Sequence, residues 1–280
     1  MTAVWLLDHE PAVRGAAFVL TATVLMLAER AVPCRGDARP ARRQAVNLGL
    51  VVLGTALLRL VFPLLTVAFA VRVAAAGGGL LRVAALSPAL ATMLAVLGLD
   101  LAIYAQHRLL HTIPIFWRVH RVHHSDVAFD ASLGLRFHPF EIALSQLVKF
   151  ATVALLGAPP IAVLLFEVWL QAGALFSHAD LALPPPFDRR VRWLLVTPSM
   201  HRVHHSVEPD ETDSNFGFNL VWWDRLFGTY RAAARRGEAT MPIGLDAFRA
   251  AADQGLLALL AQPFRPAPAL ARPAPEAPRA

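Results

Sequence analysis

Long apolar blocks separated by short polar stretches run along this chain. Each block able to cross the ~30 Å hydrocarbon core of a bilayer predicts a membrane helix. Residues 14–32 form the first block, and no cleavable leader is expected ahead of it, because Asp8 and Glu10 stand where a leader would be positive. A polar stretch follows from Arg35 to Gln44, with Arg39, Arg42 and Arg43; its excess of arginine predicts a cytoplasmic loop. The second block, 46–76, contains Arg59 and Pro63, so either a kink or a snorkelling Arg59 is expected there, and Gly77-Gly78-Gly79 ends it. A third block, 86–106, carries Asp100 and runs straight into His107.

Residues 107–141 are too polar to cross hydrocarbon. The chain turns apolar again over 143–177, broken by Gly157-Ala158-Pro159-Pro160 as at the tip of a helical hairpin. Each arm is short for a full crossing, so the hairpin either spans or re-enters. With the arginine loop inside, the second block goes out and the third returns. Every histidine-rich stretch then falls on the cytoplasmic face. The expected fold is all-α and integral to the membrane, with four to five transmembrane or re-entrant helices under a cytoplasmic, histidine-rich helical cap. Three regions are expected: N-terminal membrane helices over 1–85, a histidine-bearing domain over 86–235, and a C-terminal segment over 236–280. The last of these ends in a Pro/Ala-rich disordered tail from 263.

Composition agrees with a membrane protein: 56% of residues are hydrophobic, 16% are charged, and the mean hydropathy is +0.49. The net charge of +6 does not point to nucleic acid, because the arginines flank apolar segments and suit lipid head groups. Trp222 and Trp223 fit an interface belt, and the basic run Arg231–Arg236 is expected to meet head groups. With Cys34 alone, neither an intrachain disulfide nor a Cys-ligated zinc or iron–sulfur site can form.

The chemistry lies in the histidines. The hexapeptide His-Arg-Val-His-His-Ser occurs twice, at His120–Ser125 and His201–Ser206. On a helix its three imidazoles share one face. His107 and His111 add an i, i+4 pair, and His138 and His178 stand singly between the repeats. The candidate metal ligands are therefore His107, His111, His120, His123, His124, His138, His178, His201, His204 and His205. One ion takes about four ligands, so this number points to two metals. His9 stands apart and reads as an ordinary surface residue.

His107-Arg-Leu-Leu-His111 followed by the two His-x-x-His-His boxes resembles the fatty acid hydroxylase / sterol desaturase superfamily. Arg136-Phe-His138-Pro-Phe-Glu141, Thr197-Pro-Ser-Met-His201, Asp213-Ser-Asn215-Phe-Gly and Trp223-Asp224-Arg-Leu-Phe-Gly-Thr strengthen the likeness, which covers residues 86–230. The resemblance implies two iron ions (with zinc able to substitute), O2 as co-substrate, and hydroxylation or desaturation of a lipid C–H bond, the lipid being a sterol, fatty acyl chain or relative. Asp180 departs from the asparagine the family often has there; it, Asp100, Asp126, Glu141 and Asp224 are candidates to orient ligand histidines. Arg108, Arg121 and Arg202 are expected to pair with carboxylates or phosphates. No haem, flavin or iron–sulfur motif occurs, so electrons are expected from a separate ferredoxin or cytochrome b5-like carrier. The Ala, Leu and Arg content points to a GC-rich prokaryote and hence to a bacterial inner membrane. Two other readings compete. A zinc-dependent membrane hydrolase needs a carboxylate base and leaves most histidines unused. A metal transporter would place ligands near the bilayer midplane rather than beyond the helix ends.

Overall fold

The structure is a computed structural model that describes residues 2–266. Nine helices matter for the site: α1 Glu10–Ala31, α2 Ala41–Val61, α3 Thr66–Ala76, α4 Pro88–Thr112, α5 Pro114–His124, α6 Pro139–Leu156, α7 Pro160–Ser177, α8 Pro198–His204 and α9 Leu256–Ala261. Among the described residues the only β contacts are isolated bridges, such as Pro33 with Leu181. Five helical stretches are long and apolar enough to cross a membrane: α1, α2 with α3, α4, α6 and α7. The chain is an all-α integral membrane protein.

The second apolar block is not one helix. It stops at Val61, and Phe62 is extended (φ −111°, ψ 111°) because the Pro63 ring crowds a helical residue before it. The helix restarts at Thr66 as α3, which packs on α6 and α7 and continues toward the end of the bundle opposite the histidines. There the chain turns at Gly77–Gly79 and meets the tip of the α6–α7 hairpin. A Cβ on Gly79 would lie 2.2 Å from the Gly157 Cα, and both glycines have positive φ. The hairpin, with arms of 18 residues or about 27 Å, thus reaches as deep as the turn that leads into α4. Small, branched and aromatic residues of α3, α4, α6 and α7 fill the core, among them Ala70, Leu99, Val153 and Phe166. Large apolar side chains on α1 and α2, such as Leu20, Leu27 and Leu60, stay exposed on the outside, as lipid contact requires.

Above the bundle, α5, α8 and their loops form a cap tied down by ion pairs. Arg43 at the start of α2 reaches Asp126 at 2.8 Å and also holds Asp130. Arg136, fully buried, donates to Val122 O, Asn47 Oδ1 and Ser125 Oγ. Burial pushes the Asp126 carboxyl up, but Arg136 and Arg43 outweigh it and hold it below the usual range. Three of the four arginines of the 33–45 loop are consequently occupied: Arg35 with Asp37, Arg39 with Asp180, and Arg43 as above. The charge read as a topology signal mostly binds the cap to the helices.

Two other expectations are corrected. The basic run 231–236 does not stand free for head groups: Arg231 and Arg235 pair with Asp210, and Arg236 with Glu208. The C-terminal segment is ordered further than expected. Leu259 and Leu260 of α9 pack on Leu50 and Val122, and Arg121 donates to the carbonyls of Gln262 and Arg265. Residues 263–266 therefore belong to the folded protein, while 267–280 of the expected tail lie outside the described residues.

Gly79→Ala is expected to destabilise the protein by more than about 1–3 kcal/mol, the strain of its backbone conformation alone, because the added methyl also meets Gly157. Gly78→Ala, with open space around it, should shift the thermal unfolding midpoint in detergent far less.

Candidate metal centre

Helix α5 opens on Pro114, and its C-terminal half carries His120, His123 and His124. The short α8 is capped by the Thr197 hydroxyl, which accepts from Met200 N–H, and presents His201, His204 and, at its C-cap, His205. Placed against α4 and the end of α7, these elements gather nine histidines into two groups. One holds His107, His111, His120, His124 and His204; the other holds His123, His178, His201 and His205. Within each group the ligand atoms lie within 4.8 Å of one another. Each hexapeptide is divided between the groups. The first gives the i, i+4 pair His120 and His124 to one and His123 to the other; the second gives His204 to the first group and the pair His201 and His205 to the second. The groups adjoin, with the His124 and His205 rings stacked at 4.6 Å.

Hydrogen bonds fix where the lone pairs point. His107 Nδ1 donates to Phe216 O at 2.8 Å, His204 Nδ1 to Ser214 O at 2.7 Å and His178 Nδ1 to Ala174 O at 2.6 Å. His120 Nδ1 donates to Glu141 Oε1 at 2.8 Å and His111 Nδ1 to Asp213 Oδ1 at 3.1 Å. A carbonyl or carboxylate partner only accepts, so the proton sits on Nδ1 and Nε2 keeps its lone pair. Those lone pairs converge: His107 Nε2 lies 3.1 Å from His120 Nε2 and 3.0 Å from His204 Nε2. In the second group His178 Nε2 faces His123, His201 and His205 Nε2 at 3.0–3.1 Å. One lone pair cannot satisfy three donors. His111 Nε2 and both nitrogens of His124 are likewise buried without a partner.

Protons do not relieve this repulsion. Burial holds His204 at about 3 and His178 at about 4, and burial with neighbouring imidazoles keeps His123, His124, His201 and His205 well below the usual histidine range. Neutral, buried imidazoles with inward lone pairs are the donor set for one cation in each group. The residues present fit a pair of transition-metal ions. Phe137 stacks on His123 at 4.6 Å and Phe129 lies over His178, so aromatic rings shield the group from solvent.

The structure separates the remaining candidates by role. Glu141 does hold a histidine directly. Asp224 acts one step away, accepting from the Phe216 and Gly217 amides and so fixing the carbonyl that orients His107; burial raises its carboxyl to about 6. Asp100 binds Asn219, the Leu220 amide and the Trp223 indole, and Asp180 binds the Arg35 and Gly36 amides and Arg39. Neither touches a histidine. His138, grouped with the ligands on sequence, stands apart: its Nδ1 accepts from Phe140 N–H to cap α6, and its Nε2 contacts Leu260 O. Arg202 pairs with Glu238 as expected of the box arginines, whereas Arg121 binds carbonyls instead.

Sequence reading missed Asp213 and the carbonyls of Ala174, Ser214 and Phe216. The signal for two of these carbonyls was the 213–217 motif. Asn215, in a left-handed turn (φ +53°), is tied through its amide to Met200 O, Arg231 O and Arg231 N. That turn holds the peptides on either side against His204 and His107. Beneath the histidines lies a cavity of about 200 Å³ whose walls include Glu141, Phe137 and Ala174.

The fatty acid hydroxylase family matches residues 92–229, the stretch that supplies all nine grouped histidines. The chain belongs to the fatty acid hydroxylase superfamily. Among curated members, ornithine lipid hydroxylase OlsE of Rhizobium tropici is 37% identical over 60% of this chain and 50% of its own length. The alkylglycerol monooxygenases of Danio rerio and Homo sapiens are 36% and 31% identical, over 49% of this chain and 30% of their own. The chain thus spans half or less of these relatives. No solved structure matches this superfamily member.

Glu141→Gln is expected to weaken metal binding about 10- to 100-fold, the usual effect of losing a partner that orients a ligand histidine. Competition against a chromogenic chelator measures this, and Asp180→Asn should leave the affinity unchanged. His123, His124, His178, His201, His204 and His205 titrate below their unfolded values, so the unfolded chain takes up protons first. Stability of the metal-free protein should therefore be full above pH about 6.5 and fall as pH drops toward 4, as thermal melts across that range would register.

Proposed function

We propose that this protein is a membrane-bound, non-haem di-iron oxygenase that hydroxylates a C–H bond of a lipid with O2 and electrons from a separate carrier. The observation that carries the reading is the pair of histidine groups with converging lone pairs, set above a cavity inside a membrane bundle. Bound there, iron would activate O2 for attack on an unactivated carbon. His107, His111, His120, His124 and His204 would hold one ion, and His123, His178, His201 and His205 the other. The names of the relatives, lipid hydroxylases and monooxygenases, favour hydroxylation over desaturation.

The protein's own share of the work is positioning and exclusion. Glu141, Asp213 and the Ala174, Ser214 and Phe216 carbonyls hold protons on Nδ1, which keeps the Nε2 atoms available as ligands. The aromatic rings around the histidines keep bulk water from quenching oxidising chemistry. The cap is proposed to face the cytoplasm of a bacterial inner membrane, where an acidic ferredoxin or cytochrome b5-like carrier would meet exposed Arg42, Arg118, Arg189 and Arg190. The hydrolase reading finds less support, since the carboxylate nearest the histidines, Glu141, is spent on His120.

Anaerobic reconstitution of detergent-purified protein should give about two irons per chain, as a dinuclear site requires. His123→Ala and His204→Ala, one from each group, should each lower that number and abolish lipid-dependent O2 uptake with an added reductase. One tightly held zinc and no O2 uptake would overturn the proposal.

A further inference from the structure

Most of the wall of the cavity below the histidines is apolar, with Ile103, Ile142, Leu170 and Phe218, but it also carries a polar stripe that a slot for a hydrocarbon chain would lack. Along α6, Glu141, Ser145 and Lys149 follow one another at four-residue spacing, and Glu167, Gln171 and Ala174 face them from α7. Gln106 joins them beside His107, and Arg14 enters from α1. These positions run for about 12 Å along the helices, from the histidines toward the middle of the bundle. At the deep end Glu167 binds Lys149 at 2.6 Å and Arg14 at 3.0 Å, with the Thr66 hydroxyl at 3.0 Å.

Part of this lining lacks partners. Gln106 Oε1, Glu141 Oε2 and Arg14 Nε are buried and make no hydrogen bond. Gln106 and Glu141 are themselves 9% and 4% exposed. Lys149 makes one ion pair with a group that has three protons to donate. Unsatisfied polar atoms in a membrane interior are expensive, and they persist where a ligand completes them.

Beside the chamber lies a different kind of space. Although α1 and α2 are consecutive, they pack on α7 and α6 rather than on each other. The cleft between them, about 280 Å³, is walled mainly by Phe18, Ala22, Met26, Leu48 and Leu175. Leu135 borders both cleft and chamber. A chamber with a polar stripe, next to an almost wholly apolar cleft, matches an amphiphile.

Building on the oxygenase reading, we propose that the chamber seats the polar part of a lipid, its hydroxyl, ether or amide groups, while the hydrocarbon tail lies in the α1–α2 cleft. Oxidation then falls on a carbon next to polar atoms and not in mid-chain. Lys149, Gln171 and Gln106 are the specificity-determining contacts, offering both donors and acceptors. A groove between α4 and α6, lined by Leu109, Leu144 and Val148, also touches Gln106, but those two helices are closely packed.

The test is lipid retention without turnover, read by native mass spectrometry of detergent-released protein offered 1-O-hexadecylglycerol or hexadecane. The wild type should retain the glycerol ether at least about ten-fold better, the worth of one hydrogen bond to a charged group. Lys149→Met with Glu167→Leu, which removes both partners of the Lys149 pair and leaves Arg14 its ion pair with Glu10, should abolish that preference. Gln171→Leu, which disturbs no ion pair, should reduce it and serves if the double variant fails to fold. Equal retention of both lipids by the wild type, or a preference unchanged in the folded variants, would overturn the assignment. Iron content and O2 uptake of the same samples report on the oxygenase reading separately, so either can fail alone.

Discussion

Nine imidazoles turn ring nitrogens toward one another, five of them with the lone pair fixed inward, and the rest of the molecule is arranged to hold them there. Water cannot relieve the repulsion, since the group is buried, and protonation is opposed by the same burial. A cation can. The constraint explains why each of five histidines has an acceptor behind it, why aromatic rings cover the group, and why the cap is fastened so heavily to the helices below. A donor set this crowded must be preorganised, because the apo protein gains nothing from it.

The fastening is made of buried carboxylates that serve backbone and arginine instead of metal. Asp126 and Asp130 hold α2 to the turn after α5, Asp180 holds the loop after α1, and Asp100 and Asp224 hold the segment 216–224. All but Asp224 join elements far apart in sequence. Such bonds add little net energy one at a time, yet a buried acid that loses its partner costs several kcal/mol. The network therefore fixes one arrangement of the cap more than it deepens overall stability.

The membrane half contributes depth. The break at Pro63 lets the second apolar block bend back onto the hairpin, so that Thr66 reaches Glu167 and closes the deep end of the cavity. A straight helix through 46–76 would leave that end open to lipid. The splay of α1 from α2 opens an apolar cleft beside the chamber, and it follows from each helix packing against a different arm of the hairpin.

The apolar blocks, the two repeated hexapeptides and the likeness to a known family were legible along the chain because they are local: block length decides what can cross a membrane, and spacing decides what shares a helix face. What spacing could not decide was the division of each box. His120 and His124 turn one way and His123 the other, and the second box does the reverse, because the partners come from α4 and from the end of α7. The same limit separates His138 from the ligands: its motif places it near the histidines in sequence, but its nitrogens are taken by α6 and α9 backbone. Glu141 was readable as a partner for a histidine, whereas Asp213 and the three carbonyls were not, since a carbonyl has no signature in sequence. The arginines of the 33–45 loop carried a charge count that sequence assigns to topology; their contacts in three dimensions assign most of them to the cap. Local pattern determined which elements form and which residue types cluster, and only tertiary packing chose each side chain's partner, because hydrogen bonds and ligand geometry depend on distances between segments that lie far apart in the chain.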